Sequence, residues 1–170
     1  EGLRKRMGDF DAAQAGEQLA SRRILGDVVS HYQQHLAGRT AIAFCCSVAH
    51  AEAVAESFNE RGIRAASIDG SMRREHGRIE GLIDDLGAGR LKILTSCSLI
   101  SEGFDAPSVG GCLLLRPTQS ESLHLQMIGR CLRPAPGKPP AVVLDHVGNV
   151  QRLGHHLEQR EWSLEGRRVR

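Results

Sequence analysis

The sequence lacks the features of membrane-spanning and secreted proteins. Its 170 residues contain no apolar run of the roughly 18 residues that are needed to cross a bilayer. The first six residues are mostly charged and no apolar segment follows them, so no signal peptide is predicted. We therefore expect a cytoplasmic protein without a membrane partner.

Disulfide and metal frameworks are missing as well. The five cysteines are an odd number, and none has the spacing of metal ligands. Cys45 and Cys46 are adjacent in an apolar run, whereas the other three lie apart in segments of strand or helix character. His31 and His35 have helical spacing, but no cysteine or carboxylate constellation accompanies them. The sequence therefore predicts free, mostly buried thiols and no metal site.

Three catalytic signatures are also absent. No G-x-x-x-x-G-K-[ST] phosphate loop occurs, and the Lys138 of Gly137-Lys138 is followed by Pro139, which has no N–H to offer a phosphate. No G-x-G-x-x-G opens a helix, and there is no G-x-S-x-G elbow. An α/β domain without a nucleotide cradle is either an enzyme for another class of substrate or one half of a larger machine.

What the chain does contain is an alternation of short apolar runs and amphipathic segments. The apolar runs predict strands at 40–45, 63–68, 91–95, 111–115 and 141–144. The amphipathic segments predict helices at 11–37, 48–61, 72–86 and 120–131, the second and last opened by Ser47 and Ser120 as N-caps. This alternation is typical of a mainly parallel central sheet with helices on both faces, so the predicted fold is a three-layer α/β domain.

Two segments decide the class. Residues 94–107 read L-T-S-C-S-L-I-S-E-G-F-D-A-P, and residues 126–133 read Q-M-I-G-R-C-L-R. The first resembles motif V of the superfamily 2 DNA and RNA helicases of the DEAD/DEAH type, and the second matches their motif VI, Q-x-x-G-R-x-x-R, at every fixed position. Residues 42–47 resemble motif IV, and 68–72 resemble the strand-to-helix junction that follows it.

The resemblance implies a domain organisation. Residues 38–147 are expected to form the second, C-terminal RecA-like motor domain. Residues 1–37 would be a helical segment joining the first motor domain, and 148–170 a tail or the start of a further region. The family uses ATP and Mg²⁺, with Mg²⁺ held by the absent N-terminal P-loop domain, and its partner is the DNA or RNA backbone. The chain alone is therefore expected to be inactive as an ATPase.

The resemblance also implies catalytic roles for Arg130, Arg133 and Gln126. Phosphoryl transfer needs positive charge at the γ-phosphate, and a guanidinium supplies it with fixed bidentate geometry. The two arginines are expected to act as arginine fingers. On a helix, residues three and four apart share one face, so all three side chains are predicted to point into one cleft.

Further residues carry over by the same resemblance. Gly103, Asp105 and Gly129 are expected at the ATP: Asp105 contacts the ribose or the motif VI arginines, Gly103 permits the tight turn before it, and Gly129 lets neighbouring backbone approach.

Three serines are expected to bind the nucleic-acid backbone, namely Ser47, Ser96 and Ser98. Hydroxyl groups and helix-end amides commonly bind phosphate oxygens. Many relatives have Thr and Asp where this chain has Cys97 and Ser98, so Ser96 or Thr95 is the alternative for the strand contact.

Two other functions remain open on the sequence. The domain could be a scaffold that binds only nucleic acid or a partner, although a scaffold has no need for both motif VI arginines. It could also be an unrelated α/β enzyme that uses Asp69, Asp105 or Asp145. A pocket closed within this chain would favour the enzyme, and an open cleft lined by arginine would oppose it.

Overall fold

A five-stranded parallel sheet forms the centre of the domain in the computed structural model, which describes residues 4–6, 8–74, 77–97 and 108–160. The strands of this sheet are Ala41–Phe44 (β3), Ala65–Ile68 (β4), Ile93–Ser96 (β5), Gly111–Leu114 (β6) and Val142–Asp145 (β7). They lie in the order β4-β5-β3-β6-β7, with every pairing parallel. A separate antiparallel pair, Lys5–Arg6 (β1) and Asp9–Phe10 (β2), precedes them. The predicted parallel α/β fold is confirmed.

Six α-helices and one 3₁₀ turn, Gly70–Arg74, occur in the described ranges. The helices are Ala12–Leu19 (α1), Arg22–His35 (α2), Val48–Asn59 (α3), Arg78–Gly87 (α4), Glu121–Cys131 (α5) and Asn149–Leu153 (α6). The predicted N-caps are confirmed, because the Ser47 hydroxyl accepts the N–H of His50 at 3.1 Å and the Ser120 hydroxyl that of Leu123 at 3.2 Å.

The sheet separates two apolar cores because successive side chains of a strand point to opposite faces. In β3, Ala41 and Ala43 pack with α2 and α3 on one face, whereas Ile42 and Phe44 pack with α4 and α5 on the other. The arrangement is the three-layer domain that the sequence predicts. Four of the cysteines are buried and Cys97 is partly buried, all of them as free thiols.

Two helices were predicted too long. The helix expected at 11–37 is interrupted at Ala20 and Ser21, because Ser21 takes an extended conformation (φ −65°, ψ 140°) that starts a new helix. The helix expected at 72–86 begins only at Arg78, since Gly77 before it has φ +78°, a left-handed value that glycine adopts without strain. The start of the expected helix lies instead in the 3₁₀ turn Gly70–Arg74.

The helical segment before the expected core packs against it. Val28, Val29 and Tyr32 of α2 are buried in the same cluster as β3, although α2 lies in the segment predicted to lead in from another domain. The boundaries at residues 38 and 147 stay predictions. Across the described ranges, every helix is too short or too polar to span a lipid bilayer.

Candidate functional site

Helix α5 carries the motif VI residues along the outside of the sheet. It starts beside the carboxyl end of β6 and runs back for about 16 Å, at 1.5 Å per residue, toward the end of the sheet at which the strands begin. Met127 and Ile128 are buried against the sheet, whereas Gln126 is exposed and Arg130 is partly exposed in the last turn. The structure therefore places Gln126 and Arg130 on the accessible side of α5, away from the core.

Arg133 lies beyond the end of this helix, as the predicted bounds 120–131 imply, so the helical face that it was expected to share with Arg130 does not form. The helix ends at Cys131, Leu132 is its C-cap, and Arg133 follows in the loop. The cause is Pro134, because a residue that precedes proline is sterically disfavoured in the helical region. The spacing of Arg130 and Arg133 is therefore set by the loop after α5 and not by a helical turn.

Gly129 was expected to let neighbouring backbone approach, but no other part of the described chain comes close to it. Its place at the ATP stays a prediction. A Cβ built at Gly129 meets no atom within 4 Å from elsewhere in the described chain, and the residue is exposed. Leu132, three residues further on, is also accessible, at 41% exposure. The accessible end of α5 thus combines a glycine, an exposed leucine and the two arginines.

Three of the predicted site residues, Ser98, Gly103 and Asp105, lie outside the described residues. Their roles at the ATP and the nucleic acid stay predictions.

Ser47 lies at the carboxyl edge of the sheet, in a corner built by its neighbours. The Nδ1 atom of His50 accepts the N–H of Cys46 at 3.3 Å, while the Ser47 hydroxyl accepts the N–H of His50. Helix α1 covers one side of the corner: a Cβ at Gly16 would come within 3.0 Å of the Ser47 hydroxyl. The capping bond uses an oxygen lone pair of Ser47, so its O–H can still donate to an acceptor such as a phosphate.

Burial of His50 makes this corner sensitive to acid. His50 is 2% exposed, and desolvation lowers its pKa to about 4 from an ordinary value of 6.5. Below pH 6.5 the His50 side chain of the unfolded chain binds a proton that the folded chain does not bind. The contribution of the buried, neutral His50 to the free energy of unfolding is therefore complete above about pH 6.5 and is lost as the pH falls toward 4.

We expect the free energy of unfolding to decrease by up to about 3 kcal/mol over this range because of His50. Urea unfolding of the chain at several pH values measures the effect. His50→Gln should make the pH dependence shallower, whereas His35→Gln, at an exposed position, should leave it unchanged. Equal slopes for wild type and His50→Gln would contradict the assignment.

The strand serine and its alternative are both buried. Ser96 is the last residue of β5 and is 2% exposed. Thr95 is fully buried, and its hydroxyl donates to the carbonyl of Ala51 at 2.8 Å. Thr95 therefore has an internal role that ties β5 to α3. The nucleic-acid contact of Ser96 stays a prediction, and Ser47 is the more accessible of the two serines.

The loop between β6 and α5 is held by contacts that the sequence did not reveal. Asp9 accepts a hydrogen bond from the Thr118 hydroxyl at 2.8 Å and another from the Gln119 N–H at 2.7 Å. The buried Asn149 accepts the N–H of Thr118 at 3.1 Å. These partners lie more than 30 residues apart along the chain, so no local spacing could have signalled them. Together they fix the point at which α5 begins.

Two of the three aspartates offered for an unrelated enzyme, Asp69 and Asp145, lie far apart and each holds a turn. Asp69 follows β4 and Asp145 ends β7, the two edge strands, which four strand spacings place roughly 19 Å apart. Asp69 accepts the N–H of Ser71 at 2.6 Å, and a hydrogen bond to Ser71 lowers its pKa. Asp145 accepts the N–H of Val150 at 2.8 Å. Both carboxylates stabilise turns, and Asp105 is outside the described residues.

Metal binding receives no support from the arrangement of the described side chains. Within the described ranges, no three His, Cys, Asp or Glu side chains are grouped so that they could hold a metal ion. His31 stacks on His146, with ring centroids 5.2 Å apart. The pair thus joins α2 to the segment after β7.

Comparison with known proteins gives one consistent family. The model described as "Helicase conserved C-terminal domain" matches residues 21–135. A "51.5 kDa protein" of Lactococcus phage (isolate 7-9) is 34% identical over 161 residues, which cover 95% of this chain and 35% of that protein. A second relative is a Schizosaccharomyces pombe protein, irc3, which carries the provisional name of a mitochondrial ATP-dependent helicase. It is 28% identical over a region that covers 88% of this chain and 24% of the length of irc3.

Solved structures show the same fold. The structure of the Escherichia coli DEAD-box protein SrmB, bound to regulator of ribonuclease activity A, superposes with a TM-score of 0.62 at 19% identity. The superposition covers 92% of this chain and 89% of that one. The chain spans about a third of the phage relative and about a quarter of the yeast relative.

Proposed function

Because the chain belongs to the helicase conserved C-terminal domain family, we propose that it is the second motor half of an ATP-dependent superfamily 2 helicase or translocase. It closes on a P-loop domain with ATP between the two, and it supplies Arg130 and Arg133 to the phosphates. The P-loop domain holds Mg²⁺. Closure and release of the cleft then move a nucleic-acid strand relative to the protein.

The accessible end of α5 is the observation that carries this proposal. Arg130 is partly exposed there beside the open surface at Gly129, and Arg133 follows in the loop. Two arginines within four residues of an exposed glycine and Leu132 suit a surface that meets both an anionic ligand and another domain. A scaffold would not need both arginines at that surface.

Ser47 supports the nucleic-acid half of the proposal. It caps the first turn of the 12-residue helix α3, where backbone N–H groups and the helix dipole favour an anion. A hydroxyl at the start of a helix contacts the phosphate backbone and does not distinguish one base from another. The chain is therefore proposed to bind DNA or RNA without sequence preference, through few phosphates.

We expect weak binding of the chain to single strands, with log K falling by roughly 0.7 per phosphate contacted for each decade of salt. Ser47→Asp retains a good N-cap but places a negative charge at the phosphate, so affinity should fall roughly tenfold, or about 1.4 kcal/mol. Fluorescence anisotropy across a salt series measures both quantities.

Ser30→Asp is the matched control, since Ser30 is exposed on α2 and beside Arg61. It introduces the same charge and should not change the affinity. If both variants bound nucleic acid with the same affinity, Ser47 would not be part of the nucleic-acid surface. Tight binding of wild type to one particular sequence would contradict the whole nucleic-acid assignment.

A further inference from the structure

The side chain of Lys138 makes two hydrogen bonds to the segment that follows the motif VI helix. The ammonium group of Lys138 donates to the carbonyl of Cys131 at 2.7 Å and to the carbonyl of Arg133 at 2.7 Å. Cys131 directly follows Arg130, and Arg133 is itself the second motif arginine. Lys138 therefore bonds the backbone at both ends of the short segment that separates the two guanidinium groups.

The loop needs this side chain because its own backbone has few donors. Residues 134, 136, 139 and 140 are proline and carry no N–H. The last carbonyls of a helix have no intrahelical partner, so they need donors from elsewhere. An ammonium group has three such donors, and its positive charge is favourable at the negative end of the helix dipole.

The rest of the loop is anchored away from the arginines. Arg39 donates to the carbonyl of Pro140 at 3.0 Å, and the N–H of Lys138 donates to the carbonyl of Ala135 at 3.1 Å. A small open pocket of about 220 Å³ is lined by residues of the loop and of the end of α5. Without the ammonium group, residues 132–134 could shift into that space.

We propose that Lys138 is the positioning residue for Arg133: its two hydrogen bonds fix the backbone from which that guanidinium reaches the ATP phosphates. This inference rests on the proposed function, because it gives Arg133 a place in ATP hydrolysis. Lys138 does not itself touch the nucleotide in this scheme, so its loss should lower the rate of the chemical step more than the binding of ATP.

The test is steady-state ATP hydrolysis by the full-length protein with saturating nucleic acid. Lys138→Met should lower kcat by roughly tenfold to a hundredfold, since a displacement of about 1 Å in a catalytic group costs on the order of 10² in rate. The KM for ATP should stay within about twofold of wild type. Lys138→Arg should recover most of the rate, because its planar fork can still donate to two carbonyls.

Lys92→Met is the matched control. Lys92 also donates its ammonium to a backbone carbonyl after a helix, that of Gly38 at 2.9 Å, but at a site away from the motif VI loop. A purely structural role would make the two variants alike in both thermal unfolding and kcat. We expect similar losses of stability and a loss of kcat for Lys138→Met alone.

Combining Lys138→Met with Arg133→Ala separates the two hypotheses. If Lys138 acts through Arg133, the double variant should be no slower than Arg133→Ala alone. A normal rate for Arg133→Ala would overturn the proposed function. The positioning role would be overturned if Arg133→Ala lost much of its kcat while Lys138→Met kept the wild-type kcat. It would also be overturned if adding Lys138→Met lowered the kcat of Arg133→Ala further. Should Lys138→Met fail to fold, Lys138→Gln, whose shorter and uncharged side chain draws its donors back from the two carbonyls, gives the same comparison.

Discussion

Replacing Arg130 or Arg133 by alanine in the full-length protein is expected to reduce nucleic-acid-stimulated ATP hydrolysis by on the order of 10³-fold or more, the range seen for arginine fingers. In phosphoryl transfer the protein mainly supplies position and positive charge, and a bidentate guanidinium stabilises charge that develops on the phosphate oxygens. Arg130→Lys should recover little activity, since a single ammonium charge cannot reproduce the planar fork.

Arg64→Ala is the control for the loss of one positive charge. Arg64 is exposed just before β4, on a different element from the motif VI residues. This variant should hydrolyse ATP at the wild-type rate in a coupled steady-state assay. If the two motif arginines gave rates like that of Arg64→Ala, the catalytic roles proposed for them would be wrong.

The second large effect concerns the chain by itself. The purified 170-residue chain is expected to hydrolyse ATP at the background rate and to bind ATP weakly. The reason is chemical: the β- and γ-phosphates need a cradle of backbone N–H groups and a lysine, and the sequence contains no such loop. The arginines alone carry charge but cannot hold Mg²⁺.

Phosphate release from the chain, with and without nucleic acid, measures this prediction. The same assay on the protein that includes the P-loop domain is the positive control, and it should show turnover that nucleic acid stimulates. Robust hydrolysis by the isolated chain would mean that the active site is complete within it, which would contradict the proposal of a half motor.

Much of the fold was predictable because the strong signals are local. The strands at Ala41–Phe44 and Gly111–Leu114 are continuous apolar runs, as expected for strands buried on both faces. Ser47 and Ser120 were recognisable as caps because a helix start needs a side-chain acceptor for its unpaired N–H groups. These features depend on a few neighbouring residues, so the tertiary structure does not alter them.

The errors have equally specific causes. A glycine such as Gly77 can occur inside a helix. Only its left-handed conformation in the folded chain shows that Gly77 precedes the helix. Motif spacing suggested that Arg133 shares a helical face with Arg130, although the helix predicted at 120–131 already ends before Arg133, as expected ahead of Pro134. The bond of Thr118 to Asp9 is a tertiary contact, and the bond of Lys138 to Cys131 closes an irregular loop; no periodicity encodes either of them.

The central claim is that Arg130 and Arg133 act in the transition state of ATP hydrolysis and contribute little to binding ATP beforehand. The most direct test measures two quantities on the same Arg130→Ala full-length protein: the equilibrium Kd for a non-hydrolysable ATP analogue, and kcat at saturating ATP and nucleic acid. We predict a change in Kd of no more than about tenfold beside a loss of kcat on the order of 10³. An unchanged kcat, or a Kd weakened as much as kcat is lowered, would contradict this account.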